Sequence, residues 1–87
     1  MIQFYYTYVL YSEFDKKLYV GCTQNLQERF KAHSKGEVPA TRNRRPLKLQ
    51  YYEACHDLRD ARHREQYLKT THGRRFIRQR LKSYLTG

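Results

Sequence analysis

The sequence contains no stretch rich in proline, glycine or serine that could act as a linker, and no internal repeat or low-complexity tract. At 87 residues the chain is too short for two ordinary domains, so we expect a single domain over residues 1–87. It also lacks any apolar run long enough to span a bilayer. The first residues have neither a basic start nor a long apolar segment, which argues against a secretory signal and favours a cytoplasmic protein.

Cysteine is scarce, with Cys22 and Cys55 as the two thiols of the chain. Because disulfides are rare in the cytoplasm, we expect both thiols to be reduced. A zinc site that combines them with His56 or His63 is an alternative, but the paired spacing that is familiar from zinc ligands is missing.

Acidic residues are few, with 8 against 18 lysines and arginines, and the formal net charge is +10. None lies between Val38 and Tyr52, and none follows Glu65. This excess favours a polyanionic partner, and nucleic acid is the first candidate. A solvated surface that keeps a small protein soluble is the alternative interpretation. The cations that we expect to contact nucleic acid are Arg42, Arg44, Arg45 and Lys48 in the first stretch and Lys69, Arg74, Arg75 and Arg78 in the second.

Aromatic and β-branched residues dominate positions 4–11, and together with 17–21 they predict a hairpin with a polar turn at 12–16. A third strand is predicted at 47–55, directly after Pro46. Helices are predicted at 26–35, from 58 to about 71, and from about 74 to 85. The order strand, strand, helix, strand, helix, helix predicts a small α+β domain.

Capping residues support the predicted helix ends. Asn25, followed three residues later by Glu28, forms a variant capping box, and Gly36 stands where a helix would end in a left-handed residue. Asp57 can cap the second helix, and Gly73 can close it. The apolar residues of the last helix lie mostly along one side: Phe76, Ile77, Leu81, Tyr84 and Leu85.

Two tyrosines of the predicted hairpin, Tyr8 and Tyr19, are candidate site residues. Because side chains alternate along a strand, an even number of loop residues would place both on one face, whereas an odd number would separate them. Ordinary sheet aromatics are the alternative interpretation.

Two polar residues of the first predicted helix, Arg29 and His33, share a stripe with apolar neighbours. We therefore expect both to lie beside the core, although a flanking face whose stems cover apolar surface would show the same spacing. In the second helix Glu65 lies on an apolar stripe, and a buried carboxylate needs a charged, hydrogen-bonding or metal partner. An ion pair of Glu65 with Lys69 or Arg62 is the structural alternative.

Taken in order, these residues resemble the motifs of the GIY-YIG nuclease superfamily. The segments that carry the likeness are Tyr6-Thr7-Tyr8, Tyr19-Val20-Gly21, Arg29, His33, the run Thr41 to Pro46, Tyr51-Tyr52-Glu53 and Arg64-Glu65. The ordered set spans most of the chain and is specific, whereas each motif alone is common by chance. The chain is similar to the short stand-alone bacterial members, and to the corresponding domain of the excinuclease and of homing endonucleases.

The resemblance implies a three-stranded antiparallel sheet flanked by helices, and it also implies roles. Tyr8 and Tyr19 would be the motif tyrosines, with His33 near the attacking water. Arg29 would bind phosphate, and Glu65 would bind the metal. One Mg²⁺ or Mn²⁺ ion is expected, because two-metal sites normally share several carboxylates. A tyrosine that acts as a base needs nearby positive charge to lower its pKa from about 10.

The implied function is that of a metal-dependent endonuclease for DNA, with structure-dependent or weakly sequence-specific cutting and a context such as DNA repair. RNA is a further possible substrate. The alternatives are a non-catalytic nucleic-acid-binding module of the same fold and a protein-interaction domain. Two departures from the family pattern stand out: Tyr6-Thr7 replaces the leading glycine-isoleucine, and no asparagine follows Glu65, so that its role would fall elsewhere, for example to Lys69.

Overall fold

A computed structural model describes residues 2–86 of the chain. These residues form three strands, four helices and one short 3-10 turn. The strands are β1 (Tyr5–Ser12), β2 (Leu18–Thr23) and β3 (Leu47–Cys55), and the helices are α1 (Leu26–Ser34), α2 (Leu58–Leu68), α3 (Thr71–Arg80) and α4 (Lys82–Thr86). The 3-10 turn, Arg42–Arg44, precedes β3. No helix within residues 2–86 is long and apolar enough to cross a membrane.

The sheet is antiparallel with the order β2-β1-β3, so the first strand of the chain lies at its centre. Val9 and Leu10 of β1 are fully buried although they point to opposite faces, because both faces of the central strand are covered. The β1–β3 register shifts between these two residues, since Val9 pairs with Tyr51 and Leu10 pairs with Leu49. The α+β fold with a three-stranded antiparallel sheet was predicted and is confirmed.

Each face of the sheet has its own core. On one face Val9 packs with Leu68 of α2 and Ile77 of α3. On the other face the buried Tyr8 and Leu10 pack with partly buried side chains of α1. Since neighbouring residues of β1 point to opposite faces, Tyr8 belongs to the side of α1, and α2 covers the opposite side.

The caps of α1 agree with the sequence pattern at both ends. The Asn25 side chain accepts a hydrogen bond from the Glu28 N–H at 3.2 Å, but Asn25 donates its own N–H to Thr23 Oγ1. The capping box is therefore only half formed. Gly36 has the predicted left-handed conformation, with φ of +79°, and its N–H donates to the carbonyl of His33.

The predicted ends of the last helices were wrong in two respects. The second helix ends at Leu68 rather than near residue 71, and the predicted single helix over 74–85 is divided into α3 and α4. Thr70 explains the earlier start of α3, because its hydroxyl accepts a hydrogen bond from the Gly73 N–H and caps that helix. The division falls at Leu81, whose side chain packs against the core of α2 and α3.

Gly73 does not close a helix, as the sequence had suggested, but lies inside the first turn of α3. A Cβ at this position would overlap the carbonyl oxygen of Tyr67 and the Cα of Leu68. Glycine is thus required because the start of α3 presses against the backbone at the end of α2.

We predict that Gly73→Ala lowers the free energy of unfolding by about 1–3 kcal/mol, because the added methyl group meets backbone that can move only if α3 shifts away from α2. Urea unfolding followed by circular dichroism measures the change. His72→Ala, at an exposed position of the same turn, is the matched control and should stay within about 0.5 kcal/mol of the wild type. Equal stability of the two variants would contradict the prediction.

Candidate active site

The two hairpin tyrosines lie on the same face of the sheet. Leu10 pairs with Tyr19, and Tyr8 pairs with Gly21. The number of residues in the turn, between the last paired residues of the two strands, is even. The side chains of Tyr8 and Tyr19 therefore point to the side of α1, with their ring centroids 6.5 Å apart.

His33 of α1 lies against both tyrosine rings and is fully buried. Its ring centroid is 5.7 Å from that of Tyr8 and 5.3 Å from that of Tyr19. Nε2 of His33 is 2.8 Å from the Tyr8 hydroxyl, and Nδ1 is 2.7 Å from Oγ1 of Thr41. Tyr8, His33 and Thr41 thus form a continuous chain of hydrogen bonds inside the protein.

Arg29, one turn before His33, also bonds to the Tyr8 hydroxyl. Its Nε donates to the Tyr8 hydroxyl at 3.4 Å, and a guanidinium has no acceptor atom. The Tyr8 oxygen therefore accepts from Arg29. In the tautomer of His33 that carries its proton on Nδ1, the Tyr8 hydroxyl donates to Nε2. The Nδ1 proton of His33 is then donated to Thr41. Arg29 itself is exposed, so its remaining donors face solvent.

Gly21 provides the space that the Tyr8 side chain occupies. It lies directly opposite Tyr8 in the β1–β2 pair, and a Cβ there would overlap the Tyr8 ring and hydroxyl. The glycine of the Tyr19-Val20-Gly21 motif is thus required by the close approach of a side chain, since the structure gives it no positive φ.

The protonation states of the buried groups follow from this packing. Burial raises the pKa of Tyr8, and the hydrogen bond from Arg29 opposes that rise. The pKa of His33 is lowered to about 4, first by burial and then by the positive charge of Arg29, so the ring is neutral near pH 7. The positive charge that a tyrosine base would need is thus present beside Tyr8, but burial outweighs the effect of Arg29 on the pKa of Tyr8.

Glu65 lies on α2, on the opposite side of the sheet from the tyrosine rings. Its side chain is 19% exposed, and Oε2 accepts a hydrogen bond from Nζ of Lys69 at 3.1 Å. The predicted ion pair with Lys69 is therefore present. Burial is the main cause of the raised pKa values of Tyr8 and Cys22, and the charge of Glu65 adds to both.

The donor set fits one hard metal ion better than zinc. Within residues 2–86 no group of three or more His, Cys, Asp and Glu side chains is placed to hold a metal ion, and Cys22 and Cys55 are free thiols. Glu65 offers a single carboxylate. Mg²⁺ is commonly bound by one or two carboxylates together with substrate phosphates and water, so Glu65 is suited to such an ion once a phosphate is bound beside it.

Three of the predicted nucleic-acid contacts are engaged in ion pairs within the protein. Arg44 Nε is 2.6 Å from Oδ2 of Asp15, and Ser12 Oγ donates to the Arg44 carbonyl, so this residue fixes the 3-10 turn to the hairpin. Lys48 lies 3.5 Å from Glu13. Lys69 is the third, through its ion pair with Glu65.

The other predicted contacts are exposed. Arg42 and Arg45 lie at the 3-10 turn, and Nε of Arg45 donates to the Arg42 carbonyl at 3.0 Å. Arg74, Arg75 and Arg78 lie on α3 and border one open cleft.

Thr41 is the member of the cluster whose position sequence reasoning missed. It was noted only as the first residue of a basic run, yet its side chain is fully buried against His33. The one available signal was its uncharged, hydrogen-bonding side chain at the head of that run.

The comparisons with known proteins point to one family. The family model of the GIY-YIG catalytic domain matches residues 4–79. A UPF0213 protein of Clostridium perfringens is 45% identical over 65 residues, which cover 74% of this chain and 69% of the relative. UPF0213 proteins of Bacillus licheniformis and Syntrophus aciditrophicus are 41% and 38% identical, with 75% and 74% of this chain and 67% and 75% of the relatives covered. No solved structure matches significantly.

With a buried Tyr-His-Thr chain beside an arginine on an antiparallel sheet, and with these matches, the chain belongs to the GIY-YIG family. That family is a nuclease superfamily whose members generally bind nucleic acid and use a divalent metal ion. The names of these relatives state no reaction or substrate.

We predict that the contribution of His33 to stability falls as the pH is lowered from about 6.5 to about 4. The pKa of His33 is about 4 in the folded chain and about 6.5 in the unfolded chain, so protons bind the unfolded state first in this window. Urea unfolding of the wild type and of His33→Gln at several pH values measures it. The stability difference between them should shrink towards pH 4, and a constant difference would contradict the prediction.

We also predict that Gly21→Ala costs about 1–3 kcal/mol of stability, because the new methyl group displaces the Tyr8 ring from its contact with His33. A double-mutant cycle with Tyr8→Leu tests the cause, since the smaller side chain removes the atoms that collide. In that background Gly21→Ala should cost only a few tenths of a kcal/mol. An unchanged cost would show that the glycine serves a different purpose.

Proposed function

We propose that this chain is a metal-dependent endonuclease that hydrolyses phosphodiester bonds in DNA, and that residues 1–87 act as one catalytic domain. The observation that carries the proposal is the convergence of Tyr8, Tyr19 and His33 on one face, with Arg29 bonded to the Tyr8 hydroxyl and exposed to solvent. Family membership supports the same class of reaction.

Arg29 would meet the first requirement of the reaction, which is binding of the phosphate. Its Nε is engaged with Tyr8, and the terminal nitrogens of the same guanidinium remain available to a non-bridging phosphate oxygen. A phosphate bound there would lie next to the Tyr8 hydroxyl. Tyr19 flanks this position. The pKa of Arg29 is raised first by its hydrogen bond with Tyr8 and by the charge of Tyr8, and Tyr19 adds a smaller contribution.

The hydrogen-bonded chain supplies the second requirement, which is removal of a proton from water. Tyr8 would accept the water proton while donating its own hydroxyl proton to Nε2 of His33, so no free phenolate has to form. This relay is compatible with a raised pKa of Tyr8. A phosphate on Arg29 would offset the positive charge that lowers the pKa of His33 and so make the ring a better acceptor.

Glu65 supplies the third requirement, which is neutralisation of charge on the leaving group. We assign it as the ligand of one Mg²⁺ or Mn²⁺ ion, and such an ion would stabilise negative charge on the phosphate and on the departing 3′ oxygen. The carboxylate is already oriented by Lys69. The scissile phosphate would lie at the edge strand β2, where Tyr19 and Lys69 line one cleft.

One observation favours a second candidate, a nucleic-acid-binding module without activity. Tyr8 is only 1% exposed, and Glu65 is neutralised by Lys69, so both groups are engaged inside the protein. Such a module would bind DNA through its exposed cations and cut nothing.

We predict that Glu65→Gln lowers the cleavage rate by at least about 100-fold, because removal of the charge weakens the metal contact that stabilises the transition state. Affinity for DNA should change by less than about twofold, because most binding comes from cations elsewhere. Cleavage is measured with labelled duplex, nicked, flapped, branched and single-stranded DNA and RNA, with Mg²⁺, with Mn²⁺ and with a chelator. A second assay measures binding without metal.

Asp60→Asn is the matched control, because it removes an exposed carboxylate from the same helix and should leave cleavage unchanged. Undiminished cutting by Glu65→Gln would reject the metal assignment. If wild-type protein bound DNA and cut no substrate of the panel, the non-catalytic candidate would replace the endonuclease. Strong preference for one short sequence would contradict weakly specific cutting.

A further inference from the structure

Three neighbouring clefts on the surface share the side chain of Arg74. The smallest, of about 220 Å³, lies against β2 and includes Tyr19, Lys69 and Arg74 in its lining. The next, of about 230 Å³, is bordered by Lys16, Lys17, Arg74 and Arg78. The third, of about 600 Å³, follows α3 and reaches α4. Because Arg74 borders all three, the clefts adjoin one another along α3, and we call this series of clefts the α3 track.

The α3 track begins at the candidate active site. Tyr19 lines its first cleft and contacts His33 from the other side, with ring centroids 5.3 Å apart. Lys69 lines the same cleft and holds the carboxylate of Glu65. A strand whose phosphate lay between these groups would enter the track directly at the edge of β2.

The charge of the track has one sign. Its ionisable lining residues are all cations, apart from tyrosine phenols, and no acidic residue follows Glu65 in the sequence. Within residues 2–86, Arg74 and Arg78 make no ion pair with an acidic side chain. At the 3-10 turn, by contrast, the exposed Arg45 is engaged within the protein, since it donates a hydrogen bond to the backbone of that turn. Unpaired cations in a groove favour a polyanion along its length.

The spacing of the cations fits a phosphate backbone. Arg74 and Arg78 are four residues apart on α3, so their Cβ atoms lie about 5–6 Å from one another on the same side of the helix. Such spacing allows the two guanidinium groups to contact successive phosphates of one strand. Contacts of this kind orient the substrate without reading its sequence.

We propose that the α3 track holds the phosphate backbone of the substrate strand on one side of the scissile bond, with Arg74 and Arg78 as its central contacts. The proposal rests on the proposed endonuclease function for its direction towards Tyr19 and Glu65. The binding surface itself does not require that function. It makes α3 the element that decides which nucleic acids are held in position for cutting.

The test compares Arg74→Gln/Arg78→Gln with Lys31→Gln/Lys35→Gln, which removes the same charge from exposed positions at the end of α1. Affinity for labelled DNA and RNA duplexes and single strands is measured without metal at several salt concentrations. Loss of two phosphate contacts should lower the slope of log affinity against log salt by about 2 and weaken binding by about tenfold. In the control variant, the affinity and the salt slope should change by much less. Thermal unfolding checks that the two variants are folded.

Each outcome decides between the two proposals. If Arg74→Gln/Arg78→Gln lowered the affinity and the salt slope and the control variant did not, the α3 track would be supported. A parallel loss of cleavage by Arg74→Gln/Arg78→Gln would support the direction of the track towards the candidate active site. If this variant kept the affinity and the salt dependence of the wild type, the proposed α3 track would be wrong. The endonuclease proposal would still stand. If the wild type bound DNA without cutting it, the endonuclease would fail and the binding comparison would still decide the track. Absence of wild-type binding would overturn both.

Discussion

The hydrogen bond between Tyr8 and His33 is the interaction on which the arrangement of the site depends. It joins the central strand to α1 inside the protein, where an unpaired hydroxyl or ring nitrogen would be costly. Thr41 satisfies the other nitrogen of the ring, and Gly21 leaves the space in which the phenol lies. Loss of any one of these groups leaves a buried polar atom unsatisfied or moves the tyrosine.

The position of β1 at the centre of the sheet explains why the candidate groups come from both faces. Tyr8 and Thr7 are neighbours, yet Tyr8 points to α1, whereas the hydroxyl of Thr7 donates to the Ala61 carbonyl on α2. Glu65 therefore lies across the sheet from the rings. Both sides border the edge strand β2, which is also where the α3 track begins. A phosphate held at this edge would be within reach of both.

Much of the fold was predictable because its signals are local. Alternating side chains, the capping residues Asn25 and Asp57, and the left-handed Gly36 depend on a few neighbouring residues and were interpreted correctly. Gly73 was misinterpreted because a glycine near a helix end has two uses, as a C-terminal cap and as a point of close contact. Only the approach of Tyr67 distinguishes them. The raised pKa of Tyr8 was not predictable, since the sequence shows the nearby cation and not the depth of burial.

The sequence by itself determined the order of the three strands and of α1 and α2, the excess of positive charge and the set of residues that resembles a GIY-YIG site, because each is a property of residue types and their spacing. Tertiary structure decided which of those residues meet. Tertiary contacts pair Arg44 with Asp15, bury Thr41 against His33 and bring residues of β2 and α3 to the same clefts beside Arg74. Such contacts depend on how strands and helices pack, which no local pattern specifies.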